Sequence, residues 1–270
     1  MKLWLFGAEG APRLLESVKD SRSKLATISL THNIHEQPEY WLDIDNRLLD
    51  GLSDEEVISS AKGFLQVVNG YAKLSVGITY STESLGKIRY DDAFEFEADQ
   101  LPLHGIDAYS YERSGATSLS INYKPYKEIE GFTLEDAITL IDKAYFEDDI
   151  LNLLVLLGED LNWVFLYSIY DTVKHYSDEK GIRDEVFSVF SGREINHFTG
   201  TANDFKTLGP MARHGMWSRE TPRKIISFDE AILIIEKLVY SYFEIAHGVS
   251  FSPAAPMCFD ESDTFTGIEF

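Results

Sequence analysis

A chain of 270 residues with 44% apolar and 26% charged positions has the composition of a globular protein and can bury a sizeable core. Its net charge of −21 repels phosphate, which argues against a generic nucleic-acid or anionic-membrane surface. One cysteine, Cys258, excludes an internal disulfide, and no uninterrupted apolar run reaches the length of a membrane span, so a cytoplasmic location is the expectation.

The first residues, MKLWLFGAE, hold an apolar run too short for a signal-peptide core. Residues 25–31 (LATISLT) are β-branched and compact, and residues 40–45 (YWLDID) alternate apolar with polar, so both read as strands. Ser53 with Glu56 three positions on is a capping box that opens a helix. Val57, Ala61, Phe64, Leu65 and Val68 keep helical spacing, and Asn69-Gly70 is expected to end it. Strand-like runs follow over 72–80, 85–97, 106–112 and 117–123, separated by turn residues. The front half therefore predicts an antiparallel meander with one helix packed on it.

After Lys124-Pro125-Tyr126 the hydrophobic period changes. Helices are expected from Thr133 to about 145, over 148–158 and 160–176, and more briefly over 182–191. A second capping box, Ser227 with Glu230, opens an apolar helix over 231–246. Residues 196–223 read as an irregular polar connection. The fold class expected is α+β, an N-terminal antiparallel sheet with one packed helix and a C-terminal helical bundle. The corresponding domains are 1–127 and 128–251, with an extended acidic tail over 252–270.

Most constellations reduce to surface chemistry. His32 and His35 lack the further ligands that zinc needs. The acids between Asp91 and Asp99 fit no calcium-loop spacing, and Glu147-Asp148-Asp149 sits where a helix start favours negative charge. No glycine-rich phosphate loop and no nucleophile elbow occur, and Cys258 lies in a proline-containing tail. Neither metal nor cofactor is expected.

The stretch from Gly192 to Lys224 differs. Between Lys206 and Lys224 stand five basic residues and one acid, a local +4 inside an acidic chain. Long polar connections between apolar helices tend to carry function. Phe198-Thr199-Gly200-Thr201-Ala202-Asn203, followed by Ala212-Arg213-His214, resembles the C-terminal pattern of an uncharacterised bacterial family. More distantly, this half resembles HEPN-type helical domains of bacterial conflict and RNA-cleaving systems. The shared features are an aromatic central helix (Trp163, Tyr167, Tyr170, Asp171), then Arg and His before a long apolar helix. That family's nuclease signature separates Arg from His more widely than Arg193 and His197, or Arg213 and His214, are separated here.

The resemblance implies a metal-independent ribonuclease-like site, with His214 or His197 moving the proton and Arg213 steadying phosphate charge. Arg193, Asn203, Lys206, Arg219 and Arg223 would bind the RNA, nucleotide or other anionic ligand. The alternative is a non-enzymatic acidic module of adaptor or immunity type, which binds a protein with a basic surface. A second copy of the chain is the remaining candidate partner, and no membrane partner is expected.

Overall fold

The computed structural model describes residues 2–6, 23–32, 38–48, 50–78, 89–90, 132–215 and 224–251. Eight α-helices account for most of these residues: α1 (Asp54–Val76), α2 (Leu140–Lys143), α3 (Asp148–Gly158), α4 (Trp163–Glu179), α5 (Arg183–Phe187), α6 (Gly192–Ala202), α7 (Phe205–Leu208) and α8 (Phe228–His247). Short strands β1 (Lys2–Phe6), β2 (Ala26–His32), β3 (Pro38–Ile44) and β4 (Arg89–Tyr90) pair antiparallel in the order β2-β3-β1-β4.

This helical predominance corrects the expected fold class. The chain is not an N-terminal antiparallel sheet domain followed by a bundle; its described mass is helical, and the strands are a minor addition. The error starts at Asn69-Gly70. The pair does not end α1, which runs on to Val76, so the first expected strand of the meander is mostly helix. Gly70 is there for another reason. Its Cα faces α3 so closely that a Cβ would overlap the Leu154 carbonyl, and a Cβ on Gly158 would likewise overlap the carbonyl of Gln66. Two glycines thus let α1 and α3 cross backbone against backbone. Of the remaining expected strands, 106–112 and 117–123 lie outside the described residues, and of 85–97 only β4 is described.

Both predicted capping boxes form. Ser53 and Glu56 exchange hydrogen bonds at the start of α1, as Ser227 and Glu230 do at the start of α8. Helix α8 closes on Gly248, whose φ of 64° is the left-handed cap that glycine adopts without steric cost. The helix expected after Thr133 is broken instead. A 3₁₀ turn, Leu134–Asp136, is followed by α2, which has its own capping box in Thr139 and Asp142.

One apolar core runs from Leu25, Ile44 and Leu48 through α1, α3, α4 and α8 to Phe243. It is continuous across the boundary expected at 127 and 128. Buried polar groups tie the same parts together. Asp142 is fully buried, and its Oδ1 accepts from Ser23 Oγ (2.6 Å) and from the Lys24 (2.9 Å) and Leu25 (3.2 Å) amides. Its Oδ2 accepts from the Ile138 and Thr139 amides, so one carboxylate anchors the segment before β2 to α2. Lys73 in α1 donates to the Glu159 carbonyl beyond α3 (2.7 Å). Where the chain leaves α1, the Ile78 amide donates to Glu236 of α8 (2.9 Å). No helix among the described residues is long and apolar enough to cross a membrane.

Candidate functional site

The described part of the stretch expected to be an irregular loop, residues 196–215, is largely helical, which is a second correction. Ser191 caps α6 with Glu194 as its capping-box partner, and Ile195, Phe198 and Ala202 supply an inward stripe. Phe198 is fully buried and lies 6.1 Å from the Tyr167 ring, 5.6 Å from Tyr170 and 6.3 Å from Trp163. The aromatic face of α4 is therefore the seat of α6. Thr201 Oγ1 donates to the His197 carbonyl and accepts from the Ile226 amide, which fixes the approach to α8. Beyond α6 come α7 and a 3₁₀ turn, Gly209–Met211, that returns the chain toward α4.

Arg213 ends that return at the surface, and its contacts are to Ala202, Tyr167 and Asp171. Its amide donates to the Ala202 carbonyl (2.9 Å). One guanidinium nitrogen donates to the Tyr167 hydroxyl (2.8 Å), and another meets Asp171 Oδ2 at 3.1 Å. The guanidinium carbon also lies 4.3 Å from the centroid of the Tyr167 ring. Arg213 is thereby a latch between the end of the segment and α4.

The other expected site residues are dispersed. Arg193 and His197 lie four apart on α6 and so share a face, Arg193 exposed and His197 half-buried. Lys206 is exposed on α7, and His214 is exposed beside Arg213. Asn203 ends α6 and donates to the Thr199 carbonyl (2.7 Å), while its buried Oδ1 finds no partner among the described residues. Arg219 and Arg223 lie outside the described residues. Among the described residues no hydrogen bond or ion pair joins any two of Arg193, His197, Arg213 and His214.

The densest titratable cluster lies elsewhere. Asp149, in the first turn of α3, is almost fully buried, and its Oδ2 accepts from Tyr242 Oη (2.5 Å) and meets His247 Nε2 at 2.8 Å and Lys180 Nζ at 3.2 Å. The other ring nitrogen of His247 lies 3.4 Å from Glu147. Burial alone would push the Asp149 carboxyl up. The hydrogen bonds from His247 and Tyr242, with Lys180 beside them, outweigh it and hold the group well below the usual carboxylate range. Burial, and then the bond to Asp149, push the Tyr242 hydroxyl well above its ordinary value.

Glu147, Asp149 and His247 offer ligand atoms within 4.8 Å of one another, a spacing a divalent cation could bridge. Asp149 already has an ammonium and a phenol on the same oxygen, so the arrangement is that of an internal ion network. It joins the first turn of α3 to the last turn of α8 and to Lys180, which caps α4. Sequence reasoning read Glu147 to Asp149 only as helix-start charge. The missing signal was long-range, because the partners lie 31 to 98 positions away.

Between α3 and α4 runs an open groove of about 480 Å³, floored by Val155 and Leu156 and edged by Asn152, Asp171, His175 and Tyr176. Asn152 donates to the Tyr176 hydroxyl across it (2.7 Å). Asp171 belongs both to this groove and to the Arg213 latch. Compared with known proteins, the chain matches no family model, no curated protein and no solved structure.

Proposed function

We propose that this chain is a non-enzymatic interaction module, whose acidic surface engages a protein partner with a basic face. The observation that carries this reading is the state of Arg213. The guanidinium that would have to steady phosphate charge is already hydrogen-bonded to Tyr167, paired with Asp171 and laid on an aromatic ring. A nucleolytic site would need that group free and a histidine beside the reacting bond. With the Arg213 guanidinium engaged at the surface by Tyr167 and Asp171, what the chain offers a partner most strongly is its charge of −21. Such a field accelerates encounter with a basic surface and weakens as salt screens it.

The reading in which RNA, a nucleotide or another anionic ligand binds through residues 193–224 draws support from one feature. Arg193 and His197 share a face of α6, the pairing a phosphate contact would use. A single comparison separates the two. The purified chain is titrated against a basic protein partner recovered at low salt, and in parallel against single-stranded RNA and nucleoside triphosphates. The expected outcome is a complex with the basic protein that weakens steeply as salt rises, unaffected by Arg193→Ala or His197→Ala. RNA binding or cleavage abolished by those two substitutions, with no protein complex formed at low salt, would overturn it.

A further inference from the structure

A second concave site is built from three separate parts of the chain. Tyr71 and Ser75 come from α1, Ile138, Thr139, Leu140 and Lys143 from α2 and the two residues before it, and residues 249–251 from the chain just beyond α8. Between them lies a half-open hollow of about 360 Å³, within the range of roughly 300–1,000 Å³ that small-ligand pockets occupy. Most of the wall is apolar: Tyr71, Ile138, Leu140, Val249 and Phe251. Phe251 is held in place by ring contacts with Tyr240 (5.4 Å) and Phe243 (5.9 Å). Ile138 is 63% exposed, so its side chain is open to whatever enters the pocket.

One charged group lines this pocket, the half-buried Lys143. In a chain with 45 acids a lysine would be expected to find a carboxylate, yet among the described residues none pairs with its ammonium. The acids nearest to it in sequence are committed elsewhere. Asp142 is fully buried and takes its hydrogen bonds from the segment before β2 and from the start of α2. Glu147, four positions after Lys143, meets His247 instead. Four hydroxyls also line it: Ser75 donates to the Tyr71 carbonyl and Thr139 accepts from the Asp142 amide, while those of Tyr71 and Ser250 are uncommitted among the described residues. What remains for a ligand is one cation, two hydroxyls and the apolar part of the wall.

We infer that this pocket binds a small amphipathic carboxylate, with its anionic head on Lys143 and its hydrocarbon body against Ile138, Leu140 and Phe251. The inference is independent of the basic-partner reading, because it involves neither the acidic surface nor the 193–224 segment. The chemistry is selective. An amine of the same length would bring a second cation to Lys143, and the matching alcohol would lack the charge-assisted contact.

The test is calorimetric titration of the full chain with octanoate, and then with octanol and octylamine. Octanoate should saturate one site. Lys143→Gln, a change at a partly exposed position, should weaken it by about tenfold or more, the worth of one charge-assisted contact. Ile138→Ser should weaken octanoate and octanol alike by several-fold, with circular dichroism confirming the fold of each variant. The inference is overturned if octanoate gives no saturable heat, if Lys143→Gln leaves its affinity unchanged, or if octylamine binds as well.

Discussion

Two polar clusters hold helices together in this protein, and they use the same kinds of atom in opposite surroundings. At Asp149 a carboxylate, an ammonium, an imidazole and a phenol meet where the Asp149 and His247 side chains are only 5% and 4% exposed. At Arg213 a guanidinium, a carboxylate and a phenol meet at the surface, with the ion pair about two-fifths exposed on both sides. Burial decides what each is worth. Breaking a desolvated pair leaves a charge that water cannot reach, whereas an exposed pair that is broken simply solvates. The first cluster should therefore fix how α3, α4 and α8 sit together, and the second should only trim the position of one chain segment.

The contrast breaks first at Asp149, where the largest effect is expected. Asp149→Asn keeps the shape but removes the charge that faces Lys180 and His247, at a cost of about 3 kcal/mol by the precedent of buried pairs. Equilibrium denaturation in urea at neutral pH measures it. A loss no larger than that of an exposed pair would mean that the cluster is not the clamp its burial implies.

Acid should expose the same group. Because the folded state holds the Asp149 carboxyl below its ordinary value of about 3.9, its stabilisation is fully present above that value and is lost as pH falls toward the depressed one. The wild-type chain should lose stability below about pH 4, and Asp149→Asn should flatten that part of the curve. Tyr242→Phe is the next step down. It removes one donor and leaves Lys180 and His247 on the same oxygen, so about 1–2 kcal/mol is expected from the same denaturation curves. A cost equal to that of Asp149→Asn would show that the phenol, not the charge, dominates.

The difference between the clusters is also a difference in how far the sequence could be read. Local signals were legible: the Ser53 and Ser227 capping boxes and the span of α3 depend on residues within a turn of one another. Ser191 with Glu194 is an equally local signal for α6 that the reading of 196–223 as irregular passed over. Gly70 misled because a glycine needed for a helix crossing looks, in one dimension, like a glycine that ends a helix. That single reading turned the last turns of α1 into a strand. The Asp149 cluster was illegible for a different reason, since nothing near Asp149 announces a histidine almost a hundred positions on. At Arg213 a sequence shows that an arginine is present but not what it meets, because Tyr167 and Asp171 stand more than forty positions away.

The smallest expected effect is at that arginine, and it sharpens the comparison most. Arg213→Ala removes an exposed ion pair and a ring contact, each worth roughly 0.5–1 kcal/mol at such a position, so the total should stay near 1 kcal/mol. A double-mutant cycle with Asp171→Ala isolates the pair, whose coupling should fall further when salt is raised. The Asp149 pairing, shielded from solvent, should respond much less to the same salt. If the Arg213 coupling were instead large and indifferent to salt, the latch would have to be shut away from water by residues beyond those that contact it here. Arg213 would then rank with Asp149 as a determinant of the fold, and the pairing of its guanidinium would be a structural commitment that no anionic ligand could compete away.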